Sequence, residues 1–403
     1  MIPVAEARAR ILSAFAALPA ETVPLPEGLG RILAEPVVAR LTQPPLDVSA
    51  MDGWAVRAAD VAPDLVKLPA TLREIGRVPA GGRFEGTLGP GQCVRIFTGA
   101  PLPAGADAVV IQEDADAEGF SVTIREGASA GRYVRKAGLD FRAGDTLLHP
   151  GRRLTARDIG IAASTNHPWL RVRRRPRVAI LATGDEIVMP GEALGPSQIV
   201  SSNSHALAAL VRSCGGQPID LGIARDDAES LTALAAGARG ADLVVTTGGA
   251  SVGDHDLIRS VLGGRGLALD FWTIAMRPGK PLMFGRLDDT PMLGLPGNPV
   301  STMVCGWLFL RPAILALQGA AVPDDRITAT LGRDLPANDR REDYLRARIE
   351  RTENGLVATP FPAQDSSMLS LLAAADGLVI RPPLAPAAAR GDAVEAVLFT
   401  DGI

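Results

Sequence analysis

Apolar residues recur at Val4, Ala7, Ile11, Phe15 and Leu18. That spacing repeats on one helical face, so residues 3–19 are predicted as an amphipathic helix with Pro3 in its first turn. From residue 36 to 155 the pattern changes to short β-branched runs, among them Val37-Val38, Ala108–Ile111 and Ser121–Ile124, separated by turns such as Pro79-Ala80-Gly81-Gly82. Such alternation predicts a small β-rich unit. The basic run Arg171–Arg177 reads as a solvated bridge. Beyond it, strand-like runs (Val178–Ala182, Pro218–Ile223, Leu243–Thr246, Ala268–Ile274, Leu282–Phe284, Met292–Leu295) are interspersed with helical ones (Ser202–Cys214, Ala228–Ala238, Asp256–Leu262, Val300–Leu317). Strands alternating with helices cover both faces of a mostly parallel sheet, so an α/β domain is predicted here. After Pro323, the runs Leu345–Ile349, Gly355–Ala358, Gly377–Ile380 and Ala393–Leu398 predict a compact all-β domain.

The chain has 403 residues, 47% of them hydrophobic, enough for several domains of roughly 150 residues, each with its own core. Lys and Arg number 41 against 45 Asp and Glu, a net charge of −4. No strongly basic field exists to hold a polyanion by counterion release, so nucleic acid is not an expected partner, although a small anion can still be held locally. Cys93, Cys214 and Cys305 have neither disulfide-framework nor C-x-x-C spacing, which suits a reducing compartment. Glu6, Arg8 and Arg10 occupy the stretch where a secretory signal needs an apolar run. The longest uncharged stretch, Thr290 to Leu310, is interrupted by Pro291, Pro296, Gly297, Asn298 and Pro299 and does not read as one membrane helix. A soluble, cytoplasmic protein with no membrane partner is expected.

In open parallel sheets, ligands bind outside the carboxyl ends of the strands. Five of the predicted strands end in chemically equipped segments: Thr183-Gly184-Asp185-Glu186, Ala224-Arg225-Asp226-Asp227, Thr247-Gly248-Gly249-Ala250-Ser251 running on to Asp256, Met276-Arg277-Pro278-Gly279-Lys280, and Pro296-Gly297-Asn298-Pro299-Val300-Ser301. Gly248 and Gly249 let backbone amides approach an anion, and a helix start beyond them adds partial positive charge. Pro296-Gly297-Asn298-Pro299 likewise turns a strand into a helix N-terminus, with Asn298 and Ser301 as donors. Arg277 and Lys280 supply fixed positive charge. Asp185, Glu186, Asp226 and Asp256 are hard oxygen donors suited to Mg²⁺. Singly, each segment has an ordinary use as a helix cap, a turn or a surface charge. All five at one sheet edge point instead to an anion site beside a metal site. Other chemistries are poorly matched: there is no P-loop ending, no G-x-G-x-x-G after a first strand, no G-x-S-x-G, and no H-E-x-x-H among the four histidines.

Several motifs occur in a fixed order: Pro44-Pro45 followed by Ser49-Ala50-Met51-Asp52-Gly53-Trp54, Thr98-Gly99-Ala100, Ala182–Glu186, Ser202-Asn203-Ser204, Thr247-Gly248-Gly249-x-Ser251, Pro278-Gly279-Lys280-Pro281 and Leu295–Pro299. In them the chain resembles the MoeA-type molybdopterin molybdenumtransferases, homologous to the E domain of gephyrin. The C-terminal likeness is looser, in Arg341-x-x-Tyr344-x-Arg346 and Gln364-x-Ser366. The resemblance implies an elongated head-to-tail homodimer of four-domain subunits. A split first domain (1–44 with 141–173) surrounds a β-rich insert (45–140), followed by the three-layer α/β domain (174–321) and a β-barrel-like domain (322–403). It implies Mg²⁺-dependent insertion of molybdate into adenylylated molybdopterin, with AMP and molybdenum cofactor released, and exchange with other molybdenum cofactor synthesis enzymes. Glu186, Asp226 and Asp256 would hold the metal. Asp52 would reach a cleft shared with the partner subunit, and Thr98, Asp140, Arg341 and Ser366 match further cleft positions. Many relatives carry Lys where this chain has Arg277. Two other readings are open: an adenylyltransferase of the related single-domain family, which would need neither the Ser49–Val56 arm nor the flanking β domains, and a gephyrin-like scaffold, which would need no acidic cluster.

Overall fold

Arg177–Thr183 and Leu243–Thr247 are almost wholly buried runs, as strands covered on both faces must be. They lie side by side in a six-stranded sheet of order Gln217–Ala224, Arg177–Thr183, Leu243–Thr247, Thr290–Leu295, Met283–Leu287, Leu267–Phe271. The computed structural model describes residues 1–248, 261, 263 and 267–399. The first four strands are mutually parallel, and Met283–Leu287 runs against its two neighbours. Side chains alternate across the sheet: Val178 and Ile180 pack under Leu207, Leu210 and Ile314, while Ala179 and Leu181 pack under Leu231 on the other face. Burying each of the larger aliphatics contributes about 1.5–3 kcal/mol.

Helices Asn203–Ser213 and Pro299–Leu317 cover the first face, and Ala228–Ala235 lies against the second. The 299–317 helix is apolar because it is a core helix, 78% buried. Its middle, Gly306–Leu310, has π-type geometry. Pro312, two residues beyond, lacks the N–H that an α-turn there would use, so a break in the ladder is expected on chemical grounds. The predicted helix Asp256–Leu262 lies, apart from Val261, outside the described residues.

Two expectations are corrected. The first helix spans Val4–Ser13 rather than 3–19. Pro19 disfavours helical backbone at Leu18, and the Leu18 amide bonds the Leu317 carbonyl instead (2.8 Å). Val4, Ala7 and Ile11 then join the α/β core. Ala268–Ile274 is also not one strand: Leu267–Phe271 stays in the sheet, whereas Met276–Arg277 pairs in parallel with Glu342-Asp343 of the C-terminal domain.

The segment between the first helix and the α/β sheet leaves and returns through three nested antiparallel ribbons: Ala20–Pro24 with Trp169–Arg173, Val37–Val38 with Thr146–Leu148, and Val48–Ser49 with Val134–Arg135. At their far end sits a six-stranded sheet of order Ala108–Ile111, Gly53–Val56, Gln92–Ile96, Ala70–Val78, Ser121–Ile124, Ala115–Glu118. The C-terminal strands close on themselves. Glu342–Thr352 pairs with both Gly355–Pro360 and Gly377–Arg381, and Arg326–Leu331 and Ala393–Leu398 complete a five-stranded barrel around Leu331, Ala347, Val379 and Ala396. The mostly parallel α/β sheet and the barrel both match the sequence expectation.

All three cysteines are free and buried. Desolvation pushes the Cys93 thiol up to about 12, so it packs as a small apolar group rather than a nucleophile.

Candidate active site

Register places the loops. Thr183 lies opposite Ala224, Ala182 opposite Thr247, and Thr247 opposite Leu295, so four parallel strands end in one row. Phe271 pairs with Phe284, and Met283 with Gly294, so Leu267–Phe271 ends at the same edge. With about 4.8 Å between strands, the row from Ala224 to Leu295 is roughly 15 Å wide, the scale of a nucleotide-sized ligand. Strand order reverses at Arg177–Thr183: its crossover goes to Gln217–Ala224 on one side, and the next crossover returns past it to Leu243–Thr247 on the other. Ligands bind at such a switch point.

There the loops touch. Gly248 has φ +85°, and a Cβ on it would collide with the Thr183 carbonyl oxygen; a Cβ on Gly297 would meet the Gly248 Cα at 3.5 Å. Asn203, which sequence reasoning quoted but gave no role, ties the crevice together. Its amide N–H₂ donates to Thr247 Oγ1 (2.9 Å) and to the Gly297 carbonyl (2.7 Å). The Thr302 hydroxyl donates to the Pro296 carbonyl (2.6 Å). Thr183 Oγ1 and Asn203 Oδ1 are buried with no partner among the described residues, an arrangement that suits a ligand donor or acceptor. Gly297 and Asn298 are exposed at the start of the 299–317 helix, and Ser301 is buried within its first turn. Gly249, Ser251 and Asp256 lie outside the described residues.

The acidic loops flank the crevice. Asp185 accepts from the Asp226 amide (3.1 Å), and Asp227 caps Ala228–Ala235 by accepting from the Ser230 amide (2.7 Å). Glu186 and Asp226 are exposed, and no side-chain hydrogen bond or ion pair engages either among the described residues. An open cavity of about 760 Å³ is walled by Asp185, Arg225, Asp226 and Asp227. The described residues contain no group of three metal-ligand side chains. Mg²⁺ typically takes one or two carboxylates and fills its shell with water and substrate phosphate, so an exposed carboxylate such as Glu186 or Asp226 has the right donor chemistry.

The positive side divides unequally. Lys280 is half-buried, with no side-chain partner among the described residues, and its carbonyl accepts from Ile274 and Leu282 amides, fixing the loop (3.1 Å each). Arg277 is committed instead. Its Nε donates to Asp343 (3.0 Å), a second nitrogen also meets Asp343, and Nη1 pairs with Asp339 (3.3 Å). Arg341 pairs with the same Asp339 (2.9 Å) and holds its carboxyl down at about 2. Two cations thus neutralise two carboxylates, which leaves Lys280 as the charge of this loop with no acidic partner among the described residues. Ser366 accepts from the Asn298 side-chain amide (2.8 Å), and its carbonyl accepts from the Val300 amide (3.1 Å), so the barrel-side loop closes over the helix start. Arg346, 1% exposed, anchors that loop through Gln364 and the Met368 carbonyl. Its burial has no sequence signal, because isolated arginines usually lie at the surface.

Asp52 and Thr98 form a separate pair on the inserted sheet. Both the Thr98 amide (2.7 Å) and its hydroxyl (2.8 Å) donate to Asp52 Oδ1, and the amide bond is the chief cause holding this half-buried residue's carboxyl below its usual range. Neither residue bonds to the α/β edge of its own chain among the described residues. Asp140 lines a neighbouring cavity with Arg135.

Fold and edge define an α/β protein whose strand-end crevice is equipped for a phosphorylated or oxyanionic ligand. Comparison with known proteins agrees. Residues 2–166 match the MoeA N-terminal region (domain I and II), 179–316 a probable molybdopterin binding domain, and 328–399 the MoeA C-terminal region (domain IV). Molybdopterin molybdenumtransferase of Nostoc sp. is 40% identical over 81% of this chain and 76% of its own. Molybdopterin molybdenumtransferase 2 of Mycobacterium tuberculosis is 38% identical over 89% and 90%. The crystal structure of a molybdopterin biosynthesis MoeA protein from Pyrococcus horikoshii superposes with a TM-score of 0.87 at 34% identity, covering 99% of both chains. The chain belongs to the MoeA family of molybdopterin molybdenumtransferases.

Proposed function

We propose that the chain acts in molybdenum cofactor biosynthesis by inserting molybdate into the dithiolene of adenylylated molybdopterin while water cleaves the adenylyl bond, releasing AMP and molybdenum cofactor. The observation that carries this reading is the single row of strand ends. It sets Thr183, Gly248 and Gly297 in contact at the switch point, with the exposed carboxylates of Glu186 and Asp226 on one flank and Lys280 on another. Phosphoanhydride cleavage needs charge neutralised on the phosphoryl oxygens. Lys280 and the amino end of the 299–317 helix supply that at the anion side. Glu186 and Asp226, with Asp256, would hold Mg²⁺, which when bound adds positive charge where the phosphates lie. The soft ligands for molybdenum come from the substrate dithiolene, so buried, inert cysteines are no obstacle. The inserted sheet and the barrel favour this reading over a single-domain adenylyltransferase.

Asp52 and Thr98 enter the cleft from a second copy of the chain in a head-to-tail homodimer. Asp52→Asn and Glu186→Gln chains are then each inactive alone. Unfolded and refolded together one to one, they are expected to recover about a quarter of parental AMP release, because half the dimers are mixed and each mixed dimer keeps one intact site. No recovery from well-folded mixed dimers would overturn the shared cleft.

A further inference from the structure

A second cavity, about 210 Å³, opens where the Arg277 loop meets the barrel, and its walls include Arg277, Arg333, Asp343, Pro360, Phe361 and Gln364. Asp343 is 3% exposed. One of its oxygens is bound by Arg277, while Oδ1 is buried with no hydrogen-bond partner among the described residues. A buried carboxylate oxygen whose lone pairs accept no hydrogen bond is costly and calls for a donor. Gln364 cannot supply it, because its N–H₂ donates to the carbonyls of Arg346 and Phe361 (3.0 Å each). Arg333 is exposed and makes no hydrogen bond or ion pair among the described residues. The apolar part of the wall comes from Pro336, Pro360, Phe361 and Pro362 with Leu335 and Leu345. The size lies below the roughly 300–1,000 Å³ of drug-sized pockets and suits one flat bicyclic ring.

We propose that this cavity is the pterin subsite, with Asp343 Oδ1 accepting the 2-amino N–H of the pyrimidinone edge and Arg333 donating to the ring carbonyl. This rests on the molybdopterin reading above and deepens it. Location agrees: only Pro278 and Gly279 separate Arg277 from Lys280, and only Asp365 separates Gln364 from Ser366, which bonds Asn298. A ring seated here therefore has the anion-binding loops beside it, where its phosphate arm belongs.

The test uses free pteridines with the full chain, followed by their fluorescence. Pterin carries the 2-amino donor; lumazine has an oxygen in its place. The parent is expected to prefer pterin by roughly 10–100-fold, the span of one hydrogen bond to a charged acceptor. Asp343→Asn should lose most of that preference. Arg333→Ala, at an exposed residue with no partner among the described residues, should weaken both pteridines alike and leave the preference intact. Equal binding of pterin and lumazine by the parent, or full preference in Asp343→Asn, would overturn the subsite. Turnover of adenylylated molybdopterin without any pteridine selectivity would sink the subsite and spare the function. Selective pterin binding without AMP release would do the reverse.

Discussion

Glu186→Gln and Asp226→Asn are each expected to fold like the parent chain and to lose AMP release by about 100-fold or more. Both carboxylates are exposed and hold no structural hydrogen bond among the described residues, so the amides should change stability by no more than about 0.5 kcal/mol, as for surface sites generally. The substituted side chains keep their shape and lose a negative hard-oxygen donor. Thermal denaturation checks the first half of the expectation, and AMP release under saturating Mg²⁺ the second. Asp227→Asn is the natural contrast: Asp227 caps Ala228–Ala235, so its loss should cost about 0.5–2 kcal/mol of stability. Parental AMP release by both Glu186→Gln and Asp226→Asn would remove these residues from the chemistry.

The two cations of the 276–281 segment should separate just as sharply. Lys280→Met is expected to lower AMP release by about 100-fold at nearly unchanged stability, since a charge aimed at developing phosphoryl charge is worth about 3 kcal/mol in such sites. Arg277→Met should act mainly on stability. It leaves Asp343 buried and unpaired at the seam between sheet and barrel. The cost is about 1–3 kcal/mol, below the 3–5 kcal/mol of a fully buried pair because Arg277 itself is 48% exposed. Arg277→Lys should restore part of that stability, though without the two-pronged contact that a guanidinium makes. Urea denaturation and steady-state turnover on the three variants distinguish the roles. Equal loss of turnover in Lys280→Met and Arg277→Met, with stability intact in both, would return Arg277 to the anion site.

The central sheet was readable because its strands are buried on both faces and show as uninterrupted apolar runs. The same property let their ends, and hence Thr183, Gly248 and Gly297, be placed together. Arg277 was misleading for a physical reason. A lone arginine next to Pro-Gly-Lys reads as free positive charge, and only the barrel's Asp343, 66 residues on, reveals that the charge is spent within the protein. Met276–Arg277 likewise prolongs an apolar run, and nothing local tells that it changes sheets. Asp343 lies between Arg341 and Tyr344 in a recognised motif, yet its burial is set by long-range packing that no spacing encodes. The different fates of Glu186 and Asp226, exposed, and of Asp185 and Asp227, held in structural hydrogen bonds, are equally invisible in two adjacent acidic pairs.

AMP formation from purified adenylylated molybdopterin, with Mg²⁺ and with or without molybdate, puts the central claim to its most direct trial. The account predicts release of AMP that depends on molybdate, with one molybdenum bound to the pterin product for each AMP set free. AMP-free product, or an unmodified substrate recovered intact after incubation with molybdate, would contradict it.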